Sequence, residues 1–221
     1  MNKYHLFPLF GMHTHEFRAY LNSAVIFLIF VAHYSFKYDD GLPANIARAA
    51  VIAATVLIAI TLFLGPLSRV FPNHFRHDLI YRKPLGLMGF FFAMLYTGLL
   101  FFYNYSSNLW VMLSPQNPDM FANLAWFAAA LILLALAATS TAASIRNIGF
   151  PSWKIFQRFG YLALILMVLH LSYMSGDFLE TTVGKTVLAL CFTAIAAKLI
   201  VVFVGMTKQH SALEINHLTK K

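Results

Sequence analysis

The sequence predicts an all-α, polytopic membrane protein: a bundle of six transmembrane helices. Three observations carry that prediction. The 221 residues are 60% hydrophobic and only 11% charged, with mean hydropathy +0.69, against roughly 25% charged residues in soluble domains. Six apolar runs each approach the roughly 20 residues needed to cross a bilayer. Lys and Arg fall almost entirely on one side of those runs once the chain is threaded through a membrane.

The runs are residues 20–36, 46–67, 84–103, 120–141, 156–175 and 183–206. The segment before the first is not an apolar h-region and no small-x-small cleavage site follows, so the first span is expected to be retained. The second closes on Leu64-Gly65-Pro66-Leu67-Ser68-Arg69, where proline and arginine end a helix at a membrane surface. The third opens on Arg82-Lys83-Pro84, with proline suited to a first helical turn, and ends in Phe101-Phe102-Tyr103. The fourth is rich in alanine and leucine over residues 128–138, which permits close helix approach. The fifth holds the run 161–171 (YLALILMVLHL) and the sixth holds the sole cysteine, Cys191, which reads as a small apolar packing residue. The expected organisation is a cytoplasmic segment 1–19, a transmembrane domain 20–206 and a cytoplasmic tail 207–221, with connections too short for a separate soluble domain.

Of the sixteen Lys and Arg, only Lys37, Arg48 and Lys185 fall on one side, and Lys198 lies within the sixth span, near enough to its end to snorkel. The other twelve share the side of the N-terminus, which predicts both termini in the cytoplasm, in a bacterial inner membrane. The net charge of +8 is then the charge of cytoplasmic loops beside an anionic leaflet. Membrane lipid is the implied partner, and nucleic acid is not.

His170 is the most informative residue. An ionisable side chain deep in an apolar run is costly and has a partner or a job; ligation of heme iron by a neutral imidazole is one such job. The other histidines carry less. His13-x-His15 lacks a third ligand nearby, and His74, His77, His210 and His217 read as surface residues in loops or tail. Asp39 and Asp40 read as a solvated turn. There is no phosphate-cradling glycine loop, no CxxC and no Ser-His-Asp set.

The chain resembles the ferric-reductase-like transmembrane domain family, and within it the small heme-binding membrane subunits that serve periplasmic methionine-sulfoxide reductases. The resemblance runs from Pro66 to Met174 through Pro66-Leu67-x-Arg69, Arg82-Lys83-x-Leu85-Gly86-Leu87, Thr139-Ser140-Thr141, Arg146-x-x-Gly149, Trp153-Lys154, Tyr161 and His170. It implies six helices holding b-type heme between the third and fifth, with electrons crossing the membrane. Two positions depart from the family pattern. Its third-helix histidine is Tyr96 here, and its histidine thirteen residues before His170 is Gln157. The inner heme site is therefore expected to be lost, and at most one heme b is expected, near the outer surface, with His170 as an axial ligand.

Helical rise tests which residues share its depth. At 1.5 Å per residue, Tyr96, His170 and His33 stand about 18, 21 and 20 Å from the starts of their parallel spans. Tyr96 thus lines the site, and His33 or Met94 is a candidate second ligand; a five-coordinate iron, or a buried imidazole hydrogen-bonded to Tyr96, are the alternatives. The leading function is an electron-transfer subunit of an oxidoreductase, not a self-sufficient enzyme, that delivers electrons to an extracytoplasmic soluble redox protein. Only fifteen residues follow Met206, so a quinone or a separate flavoprotein is the expected electron source. The alternative is a degenerate member without heme, acting as a scaffold or docking subunit. A transporter or channel ranks last, for want of intramembrane carboxylates and broken glycine-rich helices.

Overall fold

The computed structural model describes residues 14–174 and 178–218. Among these residues the chain is helical and has no strand. Six principal helices run α1 Thr14–Lys37, α2 Leu42–Val70, α3 Arg82–Leu99, α4 Met120–Ala138, α5 Phe159–Met174 and α6 Thr182–Leu218. Six segments are long and apolar enough to cross a membrane, as the sequence predicts.

The helices overrun the predicted spans where hydropathy marks the bilayer and not the backbone. Thus α1 begins at Thr14 and not at residue 20, and a 3-10 turn, His77–Tyr81, leads straight into α3. The fifth membrane segment starts at Phe150 because a separate short helix, Phe150–Phe156, precedes α5. Gln157 and Arg158 form the turn between them. Gly149, at φ +82°, ends the helix Ala142–Ile148 and starts Phe150–Phe156. That backbone conformation suits only glycine without strain.

The bundle is built around α2, which packs against α1, α3, α5 and α6. Its sequence explains the central place. Ala49, Ala50, Ala53, Ala54 and Ala59 are fully buried, and small side chains let neighbouring backbones approach. The approach is closest on α3, where a Cβ on Gly89 would stand 2.9 Å from Ile58 and 3.4 Å from the Ala54 carbonyl. α4 lies on α3 and α5 and closes the far side of the bundle. Lipid-facing positions stay apolar: Leu28, Ile29, Phe91, Leu131, Phe192 and Phe203 are all exposed.

Between α3 and α4, a π turn Leu100–Asn104 and a short helix Leu109–Met112 fold over one end of the core. Asn108 caps that helix, accepting from the Trp110 and Val111 amides. Asn123 on α4 donates to the Tyr105 hydroxyl (2.9 Å) and the Met112 carbonyl (3.2 Å). These bonds satisfy backbone that would otherwise be orphaned where α3 stops.

Candidate functional site

Tyr96, Trp126 and His170 meet at the junction of α3, α4 and α5. His170 is fully buried, Trp126 is 1% exposed and Tyr96 is 5% exposed. The His170 Nδ1 lies 2.8 Å from the Ala122 carbonyl and its Nε2 lies 2.8 Å from the Tyr96 hydroxyl. A carbonyl can only accept, so Nδ1 carries the proton and Nε2 accepts from the phenol. The imidazole is neutral and both nitrogens are satisfied. Trp126 packs edge-on against Tyr96 with ring centroids 4.6 Å apart and stands 5.0 Å from the His170 ring. Its Nε1 donates to the Thr97 hydroxyl at 2.9 Å.

The depth arithmetic is right for Tyr96 and His170, which the helices bring into direct contact. It does not bring the other two candidates there. His33 is exposed on α1, a helix that packs on α2 and α3, and its ring neighbour is Tyr34 at 5.2 Å. Equal depth says nothing about azimuth, and α1 lies on the wrong side of the bundle. Met94 is half-buried and two residues from Tyr96, a spacing that places side chains on different helix faces. His13 lies outside the described residues. Among those described, no group of three His, Cys, Asp or Glu side chains forms a metal site.

The large cavity lies elsewhere, at the basic end of the bundle. It encloses about 580 Å³ between α2, α3, α4, α5, α6 and the helix Phe150–Phe156. Its floor is apolar, with Ile58, Leu62, Phe90, Leu133 and Leu136 among the lining residues. The lining also carries Arg69, Arg82, Lys83, Lys154, Arg158 and Lys198, and among the described residues it includes no Asp or Glu. Local bonds fix the walls. Arg82 Nε donates to the Thr61 carbonyl at 3.1 Å, and its guanidinium lies over Gly65, where a Cβ would stand 3.4 Å from Cζ. The Tyr161 hydroxyl donates to the Leu62 carbonyl at 2.9 Å, and the Lys198 ammonium sits 5.9 Å from the Tyr161 ring centroid. Three buried polar atoms on this lining have no hydrogen-bond partner: Thr61 Oγ1, Trp153 Nε1 and Gln157 Nε2.

The residues that suggested the family therefore gather at this cavity. Pro66, Arg69, Arg82, Gly86, Ser140, Trp153, Lys154 and Tyr161 all line it. The sequence reasoning dismissed this end because Gln157 replaces a histidine. The signal it passed over was the grouping of Lys and Arg at the same ends of four helices, beside small or polar residues.

Fold and site together define a six-helix membrane protein, with a polar pair buried between α3 and α5 and a cation-lined cavity at one end. The ferric reductase like transmembrane component family matches residues 49–168, more than half of the chain, and the protein belongs to that family. Among its relatives is the protein-methionine-sulfoxide reductase heme-binding subunit MsrQ of Deinococcus radiodurans, 37% identical over 91 residues, covering 40% of this chain and 43% of that one. The protein of the same name from Herminiimonas arsenicoxydans is 26% identical over 162 residues, covering 70% of this chain and 73% of its own. The magnetosome protein MamZ of Magnetospirillum gryphiswaldense is 37% identical over 92 residues, covering 41% of this chain and 14% of that larger protein. This chain thus spans less than half of the first relative and about three quarters of the second.

Proposed function

We propose that this chain is the membrane subunit of an electron-transfer system, held in a bacterial inner membrane with both termini cytoplasmic, and that it serves a soluble acceptor outside. The observation that carries the proposal is the family match over residues 49–168, which takes in α3, α4, most of α5 and most of the lining of the basic cavity. The two relatives named as heme-binding subunits of a methionine-sulfoxide reductase support heme as the cofactor and a soluble reductase as the partner class. A quinone or a separate flavoprotein remains the proposed electron source. The twelve basic residues on one side support the orientation.

The residues meet heme with one feature that fits and two that do not. His170 is prepared as a ligand. Its Nδ1–H is held by the Ala122 carbonyl, which fixes the tautomer that leaves the Nε2 lone pair free, as second-shell partners do for ligating histidines. The Tyr96 hydroxyl, however, occupies the far side of that lone pair at 2.8 Å. A direct hydrogen bond has no atom between its partners, so a macrocycle enters only where Tyr96 leaves. The basic cavity has the room, but its lining has no His, Cys or Met. As folded, neither place fits an iron-ligated heme.

The Tyr96–His170 bond favours a second reading, a member without heme that scaffolds or docks its partners. An absorption spectrum of the full chain, purified after expression with ample heme, separates the two. A Soret band lost in His170→Ala and kept in Gln157→Ala supports the electron-transfer subunit. A colourless protein sinks it in favour of the scaffold.

A further inference from the structure

We infer that the basic cavity is an anion site for a phosphate-bearing amphiphile, with the phosphate among Arg69, Arg158 and Lys198 and the apolar part over Leu62, Leu133 and Leu136.

Charge is the first argument. Among the described residues, six cationic side chains line one cavity and no carboxylate does. The positive fields of Arg69, Arg158, Arg82 and Lys154 converge on Lys198. Like charges grouped this way repel, and Arg82 and Lys198 are the partly buried members of the group. A bound anion offsets the repulsion. Basic pockets between membrane helices on the cytoplasmic side take lipid phosphates for this reason.

The second argument is hydrogen bonding. Trp153 Nε1 and Gln157 Nε2 are donors, buried at the lining and unpartnered. An orphaned buried donor costs about 1–3 kcal/mol, so two at one wall call for an acceptor between them. Phosphate oxygens are strong acceptors and tolerate several donors at once. Trp153 can only donate, so the ligand must bring the acceptor.

Shape is the third. The volume of about 580 Å³ falls in the roughly 300–1,000 Å³ of small-ligand sites. Its cations stand at the end of the bundle and its leucines toward the centre, so the ligand's charge faces the membrane surface and its apolar part the bilayer. That polarity matches a phospholipid lying along the helices. Among the described residues the lining offers iron no thiol, thioether or imidazole. The inference does not depend on whether His170 holds heme.

The test uses the full chain in a non-ionic detergent and reads Trp fluorescence and thermal stability. It titrates phosphatidylglycerol, phosphatidylcholine and inorganic phosphate in turn. Saturable binding of phosphatidylglycerol, at least tenfold tighter than phosphatidylcholine, is expected. The pair Arg69→Gln and Arg158→Gln should weaken it at least tenfold, and Gln157→Leu should weaken it severalfold. Lys185→Gln, exposed at the other end of the bundle, should leave it unchanged. Saturable binding of inorganic phosphate, weakened by the same substitutions, would assign the same site to a soluble phosphate compound. Equal response to both lipids with none to phosphate overturns the inference. So does binding that survives the cavity substitutions while circular dichroism shows them folded.

Discussion

Removing the Tyr96 hydroxyl is the most direct probe of what holds α3 to α5. In Tyr96→Phe the ring stays, so the edge-on contact with Trp126 at 4.6 Å is kept. Only the bond to His170 Nε2 is lost. Two magnitudes then compete. Interhelical hydrogen bonds in membrane proteins contribute about 0.6 kcal/mol on average and about 1.7 at most, because a chain unfolded within the membrane also finds partners. The imidazole left behind is fully buried, and a buried unsatisfied acceptor costs about 1–3 kcal/mol. The second term sets the single-mutant effect, so Tyr96→Phe should destabilise by about 1–3 kcal/mol. The first term appears in a double-mutant cycle with His170→Ala, whose coupling energy should be about 0.6–1.7 kcal/mol. The assay is reversible unfolding in mixed micelles with rising SDS, followed by circular dichroism. Additive single and double variants would mean that the phenol and imidazole do not touch in the purified protein. Something else would then stand between them, and a heme reading would be the first to revisit.

Other substitutions probe the frame. Gly89→Leu must displace Ile58 or separate α2 from α3; it should cost about 1–3 kcal/mol, as overpacking does, in the same unfolding assay. Gly184→Ala should lower the melting temperature by several degrees, because a Cβ there overlaps the Phe178 carbonyl; a neutral result would refute that packing. Trp126→Phe loses the bond to Thr97 and leaves part of a fully buried site unfilled, so it should cost about 1–3 kcal/mol in the same assay. Asp40→Asn breaks the ion pair with Arg48, whose partners are both well exposed, and should change stability by less than about 1 kcal/mol. For topology, reporter fusions after Asn104 should read as extracytoplasmic and fusions after Lys221 as cytoplasmic.

Most of the fold was legible because a bilayer makes strict demands. Every backbone polar group in the hydrocarbon must be satisfied within its own segment, so apolar length alone marks the six spans. The helix ends were less legible. Phe150–Phe156 and the turn at Gln157 precede α5, where hydropathy fades but helical bonding continues. Within the site, the register of Tyr96 against His170 followed from the common rise of parallel helices. The exclusion of His33 did not follow, since rise fixes height and leaves helix order open. That order comes from packing: the alanine face of α2 draws α1, α3, α5 and α6 around it and sets α1 away from α4.

The two departures from the family pattern have different consequences, and the difference is local chemistry. At residue 96, where the resemblance implies a histidine, tyrosine supplies a donor that meets His170 in a hydrogen bond and a packed aromatic cluster. At residue 157, glutamine has no such partner across the cavity. Its amide nitrogen stays unpaired, and so does the indole of Trp153 beside it. A closed site and an open one thus arise from the same kind of substitution. The site at residue 96 keeps His170 without open space beside it; the cavity at residue 157 keeps the space without an imidazole, thiol or thioether among its described lining residues. If the cavity were a relic with no occupant, filling it should be harmless. Gln157→Phe, which removes an orphaned donor and fills apolar volume, would then raise stability and change nothing else. The anion-site inference expects that variant to stay folded and to lose phosphatidylglycerol binding by at least tenfold. A stabilised variant with unaltered lipid binding would show that the cavity is a scar of lost chemistry and not a site.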